Sequence, residues 1–98
     1  MLTGKQRTYL KGMAHSIKPI TQIGKLGVTD NFLSQLDNVL ETREIVKINI
    51  LETSLLDAKK TANDVAKALN AEFVQAIGNK FTIYRPSRNN PKIQLPKH

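Results

Sequence analysis

A β-branched run in the middle of the chain limits the available folds more than any other segment. Residues 45–51 read Ile-Val-Lys-Ile-Asn-Ile-Leu, and apolar and polar side chains alternate after Ile45. A period of two is typical of a strand that buries only one of its faces. We therefore expect the apolar members to face a core, with Lys47 and Asn49 on the opposite, more open side of a sheet.

Helix and strand patterns surround this run. Apolar residues recur at helical spacing over residues 3–16, 29–43 and 54–69, and each segment begins near a residue that can cap a helix. Further strands are predicted at residues 20–23, 73–77 and 80–85, with the hairpin signal Gly78-Asn79 between the last two.

The element order is therefore αβαβαββ. Strand–helix–strand crossovers favour parallel pairing, whereas the final hairpin is antiparallel. The order predicts an α/β fold, a two-layer sandwich in which three helices lie on one side of a four-stranded mixed sheet.

The chain is short enough for a single domain with a modest core. We expect residues 1–85 to form this domain. Residues 86–98, which begin Pro-Ser-Arg-Asn-Asn-Pro, are predicted to form a flexible basic tail. In that tail, Arg88, Lys92 and Lys97 would add mobile positive charge.

Composition excludes several classes of function. The chain has no Cys and two His, so thiolate metal sites and disulfides are impossible and no metal-ligand cluster is visible. No nucleophile–base pair stands out, and we expect neither catalysis nor a cofactor.

The N-terminal residues do not resemble a secretory signal, and no apolar run is long enough to cross a bilayer. We expect a cytoplasmic protein that does not bind membranes.

Positive charge is concentrated at the two ends of the sequence. The net charge is +7, with five bases and no acid in residues 1–29 and five bases and no acid in residues 73–98. Residues 30–57 carry six acids and two bases. If the two ends meet in space, one side of the molecule is basic, which suits a polyanion such as nucleic acid.

A short glycine loop is the leading candidate for a binding element. Gly24-Lys25-Leu26-Gly27 lies between a predicted strand and a helix start. Glycines let backbone N–H groups approach a ligand, and a helix N-terminus adds further donors. The motif lacks the spacing of a P-loop or of a dinucleotide fingerprint. Two glycines can also be turn chemistry alone, but Lys25 favours binding to phosphate.

Other bases are candidates for the same surface. Lys5, Arg7, Lys11 and Lys18 would extend a basic track from the first helix to the loop, unless they form only a solvated helix face. Lys47, Lys80 and Arg85 are predicted on or near the sheet edge, and Arg85 has the alternative of pairing with an acid. Tyr84 has two possible roles, stacking on a base or packing in the protein, and we favour packing.

Several separated motifs resemble one known family. Gly4-Lys5-Gln6-Arg7, the segment from Gln22 to Gly27, Glu44-Ile45-Val46-Lys47 and the closing segment from Gln75 to Arg85 are similar to the CRM domain, a YhbY-like RNA-binding family. The resemblance covers residues 2–85. It implies RNA binding by a compact α/β domain, and its Gly-x-x-Gly loop is compared with the loop that clamps the nucleotide backbone in KH domains.

The resemblance also implies a biological context. Bacterial stand-alone members of the family associate with precursors of the large ribosomal subunit, which makes ribosomal RNA the expected partner, with ribosomal proteins as possible neighbours. We expect a monomer. Two alternatives from the residues are a protein-interaction module, in which the acidic second helix contacts a basic partner, and an accessory DNA-binding protein.

Overall fold

The computed structural model describes residues 2–97. Eight elements follow one another along the chain: α1 (Gly4–Ala14), β1 (Thr21–Ile23), α2 (Asp30–Arg43), β2 (Ile45–Ile50), a 3-10 turn (Glu52–Ser54), α3 (Ala58–Ala68), β3 (Glu72–Ile77) and β4 (Lys80–Tyr84). The predicted order of three helices and four strands is confirmed, with the 3-10 turn as an addition.

The four strands form one mixed sheet in the order β1-β2-β4-β3. β1 pairs with β2 in parallel, because α2 carries the chain back between them. β4 is antiparallel to both β2 and β3. β1 and β3 are therefore the edges, and a bulge between Phe73 and Gln75 adds an extra residue to β3.

The main core lies between the sheet and the helices α2 and α3. Alternation along β2 and β4 sends one set of side chains to this face, as the sequence predicts. The fully or nearly fully buried members include Leu36, Leu40, Val46, Ile48, Ile50, Val65, Phe81 and Ile83. An α/β sandwich with a mixed sheet is thus confirmed for this pair of helices.

Helix α1 differs from the expectation that all three helices share one side, because it packs on the opposite face of the sheet. Leu10 is fully buried there in a second cluster with Ile45, Val74 and Tyr84. These apolar residues occupy only one end of that face, so α1 covers that end alone. The remainder of the face stays uncovered, which is the feature that shapes the candidate site.

The C-terminal residues also depart from the prediction of a flexible tail. Residues 86–97, which we call the C-terminal strap, run from the end of α2 to α1. Ile93 and Leu95 pack against the Leu10 cluster, and the Gln6 side-chain amide donates to the Pro96 carbonyl oxygen at 3.0 Å. The strap therefore packs against α1.

The carboxylate of Glu44 anchors this strap. It is fully buried and accepts the backbone N–H groups of Ser87, Lys92 and Ile93 at 2.7–2.8 Å. Glu41 accepts the Ser87 hydroxyl at 2.7 Å and the Arg88 N–H at 3.0 Å. Proline content and polarity suggested a mobile segment, but acceptors elsewhere in the chain satisfy its backbone.

Candidate nucleic-acid interface

The glycine loop forms a tight turn directly after β1. The Gly27 N–H donates to the Gly24 carbonyl oxygen at 2.9 Å, and Gly27 has a φ of 72°. Glycine adopts this left-handed conformation without steric cost, so Gly27 suits the turn. Because the turn uses the Gly27 N–H itself, that amide is not available to a ligand.

The helix start beyond the loop is less favourable to an anion than its sequence suggests. Thr29 Oγ1 accepts the Phe32 N–H at 3.0 Å, and Asp30 places a carboxylate in the first turn of α2. The cap occupies the Phe32 N–H, and the Asp30 carboxylate partly neutralises the positive potential at this end of the helix. Lys25, whose side chain is exposed, is therefore the main attraction for phosphate in the loop.

The loop lies at the uncovered end of the sheet. The Leu51 N–H donates to the Ile23 carbonyl oxygen, and the Ile50 N–H donates to the carbonyl oxygen of Asn79 in the hairpin turn. These bonds place the ends of β1 and β2 beside the β3–β4 turn. At the tip of the loop, the Leu26 side chain is 87% exposed and can make apolar contacts with a partner.

Polar and basic side chains line the part of the sheet that α1 leaves open. Register pairs Lys47 with Thr82, and pairs Asn49 with both Lys80 and Gln22. Paired residues share a face, so these side chains lie on the side opposite α2 and α3. We call this surface the open sheet face; its polar members are Gln22, Lys47, Asn49, Gln75, Lys80 and Thr82. Ile77, which pairs with Lys80 and is 59% exposed, adds an apolar side chain to it.

Lys18 joins the open sheet face from the segment that connects α1 to β1. It is exposed and lines a groove of about 570 Å³ together with Asn49 and Lys80. His15, at the end of α1, shares a smaller cavity of about 180 Å³ with Lys47 and Lys80. The structure therefore brings Lys18, Lys47 and Lys80 together, although they lie far apart in the sequence.

The bases of α1 lie elsewhere. Arg7 and Lys11 share a groove of about 500 Å³ with Lys59 along the free edge of β3, and Arg7 Nε donates to the Phe73 carbonyl oxygen at 3.3 Å. Lys5 is exposed near the start of α1 and lines none of the grooves that contain Lys18. The predicted track from the first helix to the loop is therefore divided between two places.

Arg85 does not belong to the surface. It is 5% exposed, and its guanidinium donates to Asp37 Oδ1 at 2.5 Å and to the Leu69 carbonyl oxygen at 3.0 Å. The alternative of pairing with an acid is the correct one. The position after β4 directs this side chain beneath α2, where Arg85 ties α2 to the end of α3.

Tyr84 is also a packing residue. It is 4% exposed and lies beneath α1 in the Leu10 cluster. Burial, together with the negative charge of Glu44, raises the pKa of its phenol. The ring is thus enclosed by the protein, and stacking of a base on it is excluded.

Most members of the open sheet face went unassigned in the sequence, Gln22 and Asn49 among them. Gln22 and Asn49 lie side by side on the open sheet face, and Asn49 Oδ1 is buried without a hydrogen-bond partner among the described residues. The strand alternation already placed Asn49 with Lys47. The pairing with β1 and β4, which no local pattern reveals, was needed to join it to Gln22 and Lys80.

Within the described chain, the grooves around the open sheet face are cationic and free of carboxylates. Over residues 2–97, no Asp or Glu lines the grooves that contain Lys18, Lys47 and Lys80. Six of the eight acids lie within residues 30–57, which include α2 and the 3-10 turn, whereas α3 carries Lys59, Lys60 and Lys67 beside Asp64. Glu72 of β3 pairs with Tyr84 and so lies at the end of the sheet that α1 covers. The result is a small α/β domain whose uncovered sheet face is lined by cations and by no described carboxylate.

Two other kinds of site are absent from the same part of the chain. None of the helices within residues 2–97 combines the length and apolar character needed to cross a membrane. Nor do the described His, Asp and Glu side chains form a group of three or more that could hold a metal ion.

The fold and the site together define the class of protein, which is an α/β domain with helices on both sides of its sheet and a cationic, partly uncovered sheet face. The chain belongs to the CRS1/YhbY (CRM) domain family, whose sequence model matches residues 2–85. It is 41% identical over 96 residues to the "Probable RNA-binding protein YqeI" of Bacillus subtilis (strain 168), covering 98% of this chain and 100% of the relative.

Two further similarities support the family assignment. An "RNA-binding protein" of Haemophilus influenzae is 33% identical over 96 residues, which cover 98% of this chain and 96% of that protein. The solution structure of the hypothetical protein SAV1595 from Staphylococcus aureus is similar with a TM-score of 0.82 and 46% identity, covering 98% of this chain and all of that one.

Proposed function

We propose that this protein binds RNA through the glycine loop and the open sheet face. The observation that carries the proposal is the set of cationic, carboxylate-free grooves at which Lys18, Lys47 and Lys80 meet, with Lys25 at the adjoining end of the sheet. The names of the relatives, which describe RNA-binding proteins, support the same conclusion.

The chemistry of this surface favours contacts with the RNA backbone. Lysine ammonium groups bind phosphate oxygens without distinguishing bases, so they fix orientation and register. Gln22, Asn49 and Gln75 supply amide groups that can bond to exposed base edges. Recognition would therefore combine the shape of a folded RNA with a few polar contacts to unpaired bases.

The proposed partner is RNA of a large ribosomal subunit precursor. This part of the proposal rests on the family resemblance, and it would place the protein in the cytoplasm as a monomer beside ribosomal proteins. Crosslinking in cell extract, followed by sequencing of the bound RNA, tests it. Fragments confined to other RNA classes would reject the ribosomal assignment and leave RNA binding intact.

A salt titration tests the phosphate mechanism. Four cations that each release counterions predict a log–log slope of roughly −3 for single-stranded RNA. A flat curve would instead favour the protein-interaction module. Competition with duplex DNA of equal length separates the remaining alternative, since a preference for DNA would overturn the assignment to RNA.

Substitution of Lys25 by Glu tests the role of the loop. We expect Lys25→Glu to weaken RNA binding clearly more than Lys60→Glu, because Lys60 lies on α3 at the other side of the sheet. Both variants change the net charge equally and both side chains are exposed. Equal losses of affinity in a filter-binding assay would mean that total charge alone matters.

A further inference from the structure

An open groove lies beyond the open sheet face, toward the end of α2. It is bounded by the α1–β1 connection (residues 17–20), the last turn of α2, the start of β2 and Lys92 of the C-terminal strap. Its volume is about 530 Å³, which falls within the roughly 300–1,000 Å³ of typical ligand sites. We call it the connector groove.

The lining of the connector groove combines two kinds of surface. One part is apolar and consists of Ile17, Pro19, Ile20, Ile45 and Val46. The other part carries four bases, Lys18, Arg43, Lys47 and Lys92, and no carboxylate contributes to the lining. Arg43 and Lys92 have no role in the glycine loop or the open sheet face.

No acid in the described chain forms a salt bridge with these four bases, although the charge of Glu44 acts on Lys92 at a distance. The salt bridges within residues 2–97 involve Arg85 and Arg88, but none of the cations of the groove. Glu44 follows Arg43 directly, yet its carboxylate is buried and enclosed by N–H groups of the strap. Lys92 Nζ is only 3.4 Å from the Thr42 carbonyl oxygen, which holds the ammonium at the edge of the groove.

We propose that the connector groove binds one unpaired nucleotide of the RNA. Its base would rest on the apolar wall formed by Ile17, Pro19 and Ile20, while Arg43, Lys92 and Lys18 would hold the adjoining phosphates. An apolar surface beside clustered cations matches a nucleotide, which has both a flat base and a phosphate. A free phosphate would not contact the apolar wall, and an acidic side chain has no flat ring to place on it.

This inference rests on the proposed RNA-binding function and extends it. Lys18 and Lys47 line both the connector groove and the cavities of the open sheet face. A single strand that crosses the open sheet face is therefore led into the groove. The C-terminal strap takes part in recognition through Lys92, although it lies beyond the segment that matches the family.

Titration of the ¹⁵N-labelled full-length chain with uridine 5′-monophosphate tests the site by NMR. We expect amide shifts at Lys18, Ile20, Arg43 and Lys92, with smaller shifts from uridine or inorganic phosphate alone. Arg43→Gln should raise the dissociation constant about fivefold to tenfold, as expected for loss of a charge-assisted contact. Arg88→Gln, an exposed arginine outside the groove, should leave it unchanged.

The possible outcomes separate this inference from the function on which it rests. If phosphate alone reproduces the shifts, or if a hexa-aspartate peptide causes them and the nucleotide does not, the nucleotide pocket is wrong. If Arg43→Gln leaves the affinity for single-stranded RNA unchanged while Lys25→Glu lowers it, the groove is rejected and RNA binding stands. If the labelled chain binds no RNA at all, the proposed function itself fails.

Discussion

At the scale of single residues, two of the five described positions with a positive φ shape the glycine loop and the anchor of the strap. Gly27 has a φ of 72° and Glu44 has a φ of 68°, both in the left-handed region. Glycine occupies this region freely, whereas Glu44 is held there by the hydrogen bonds around it. Its own N–H donates to the Leu40 carbonyl oxygen, and its carbonyl oxygen accepts the Arg85 N–H.

The two glycines of the loop should respond differently to alanine. A Cβ at Gly27 meets nothing within 4 Å, so the only cost is the backbone conformation, about 1–2 kcal/mol. At Gly24 a Cβ would approach Leu51 Cδ1 at 3.6 Å, an ordinary contact at a position without a positive φ. Urea unfolding should show Gly27→Ala destabilised and Gly24→Ala nearly unchanged; equal losses would contradict this turn geometry.

Glu44 should make stability depend on pH. Burial by itself raises the pKa of Glu44, but hydrogen bonds from Ser87, Ile93 and Lys92 outweigh burial, and the pKa lies below its ordinary value. The folded state therefore favours the charged form. This contribution is complete above the unfolded pKa of about 4.3 and is lost as the pH falls through the lower folded value.

The variant Glu44→Gln isolates this effect. One carboxylate oxygen becomes an NH₂ group, which leaves a buried N–H without an acceptor and costs about 1–3 kcal/mol at pH 7. The difference in unfolding free energy between wild type and variant should shrink between about pH 5 and pH 3, the range in which carboxylates take up protons. A constant difference across this range would show that the charge of Glu44 does not hold the strap.

At the scale of elements, the C-terminal strap and α1 stabilise each other. Leu10 of α1 is fully buried, and the strap contributes Ile93 and Leu95 to its surroundings. Thr3 and Gln6 form a capping box at the start of α1, and Gln6 also holds the strap through Pro96. Contacts along its length, rather than regular secondary structure, fix this segment.

Neighbouring substitutions in the strap test this packing. Ile93 is half-buried against the Leu10 cluster, whereas the next residue, Gln94, is exposed. We expect Ile93→Ala to lower the unfolding free energy by about 1–2 kcal/mol, less than the ~2–5 kcal/mol of a fully buried isoleucine. Gln94→Ala should be neutral. Amide hydrogen exchange provides a second measure, since a flexible strap would show no protection at Ser87 or Ile93.

At the scale of the whole molecule, function depends on which side of the sheet a charge occupies. Two helices fill one face, while one helix covers only part of the other, and six of the eight acids lie within residues 30–57, which include α2. The surface left open is polar because Lys47, Asn49 and Lys80 alternate with core residues along β2 and β4. The same alternation that builds the core therefore also builds the surface proposed to bind RNA.

Removing one charge from each side tests this arrangement. Lys80→Gln should reduce the steepness of the salt dependence of RNA binding by about 0.7 in a log–log plot, the value for one phosphate contact on a single strand. Lys60→Gln removes the same charge from α3 and should leave the slope unchanged. Equal changes in slope would indicate a diffuse interaction with the whole protein.

Local pattern was sufficient for much of this protein. The helices, the strands, the hairpin turn and the alternation of β2 follow from side-chain period and from turn residues, which act over a few positions. Lys25 could be selected for the same reason, since its exposure depends on a four-residue turn. The motifs that resemble the CRM family also lie within short segments of the chain.

Only the tertiary structure decided which elements share a side. The apolar stripe of α1 matches either face of a sheet, and the position of Ile45, Val74 and Tyr84 at one end selected the face opposite α2 and α3. Arg85 is buried and the strap is held in place because they bind Asp37 and Glu44. These partners lie more than forty residues away along the chain, so no local pattern reveals them. Period and composition describe neighbours along the chain, whereas charge pairing and face selection depend on neighbours in space.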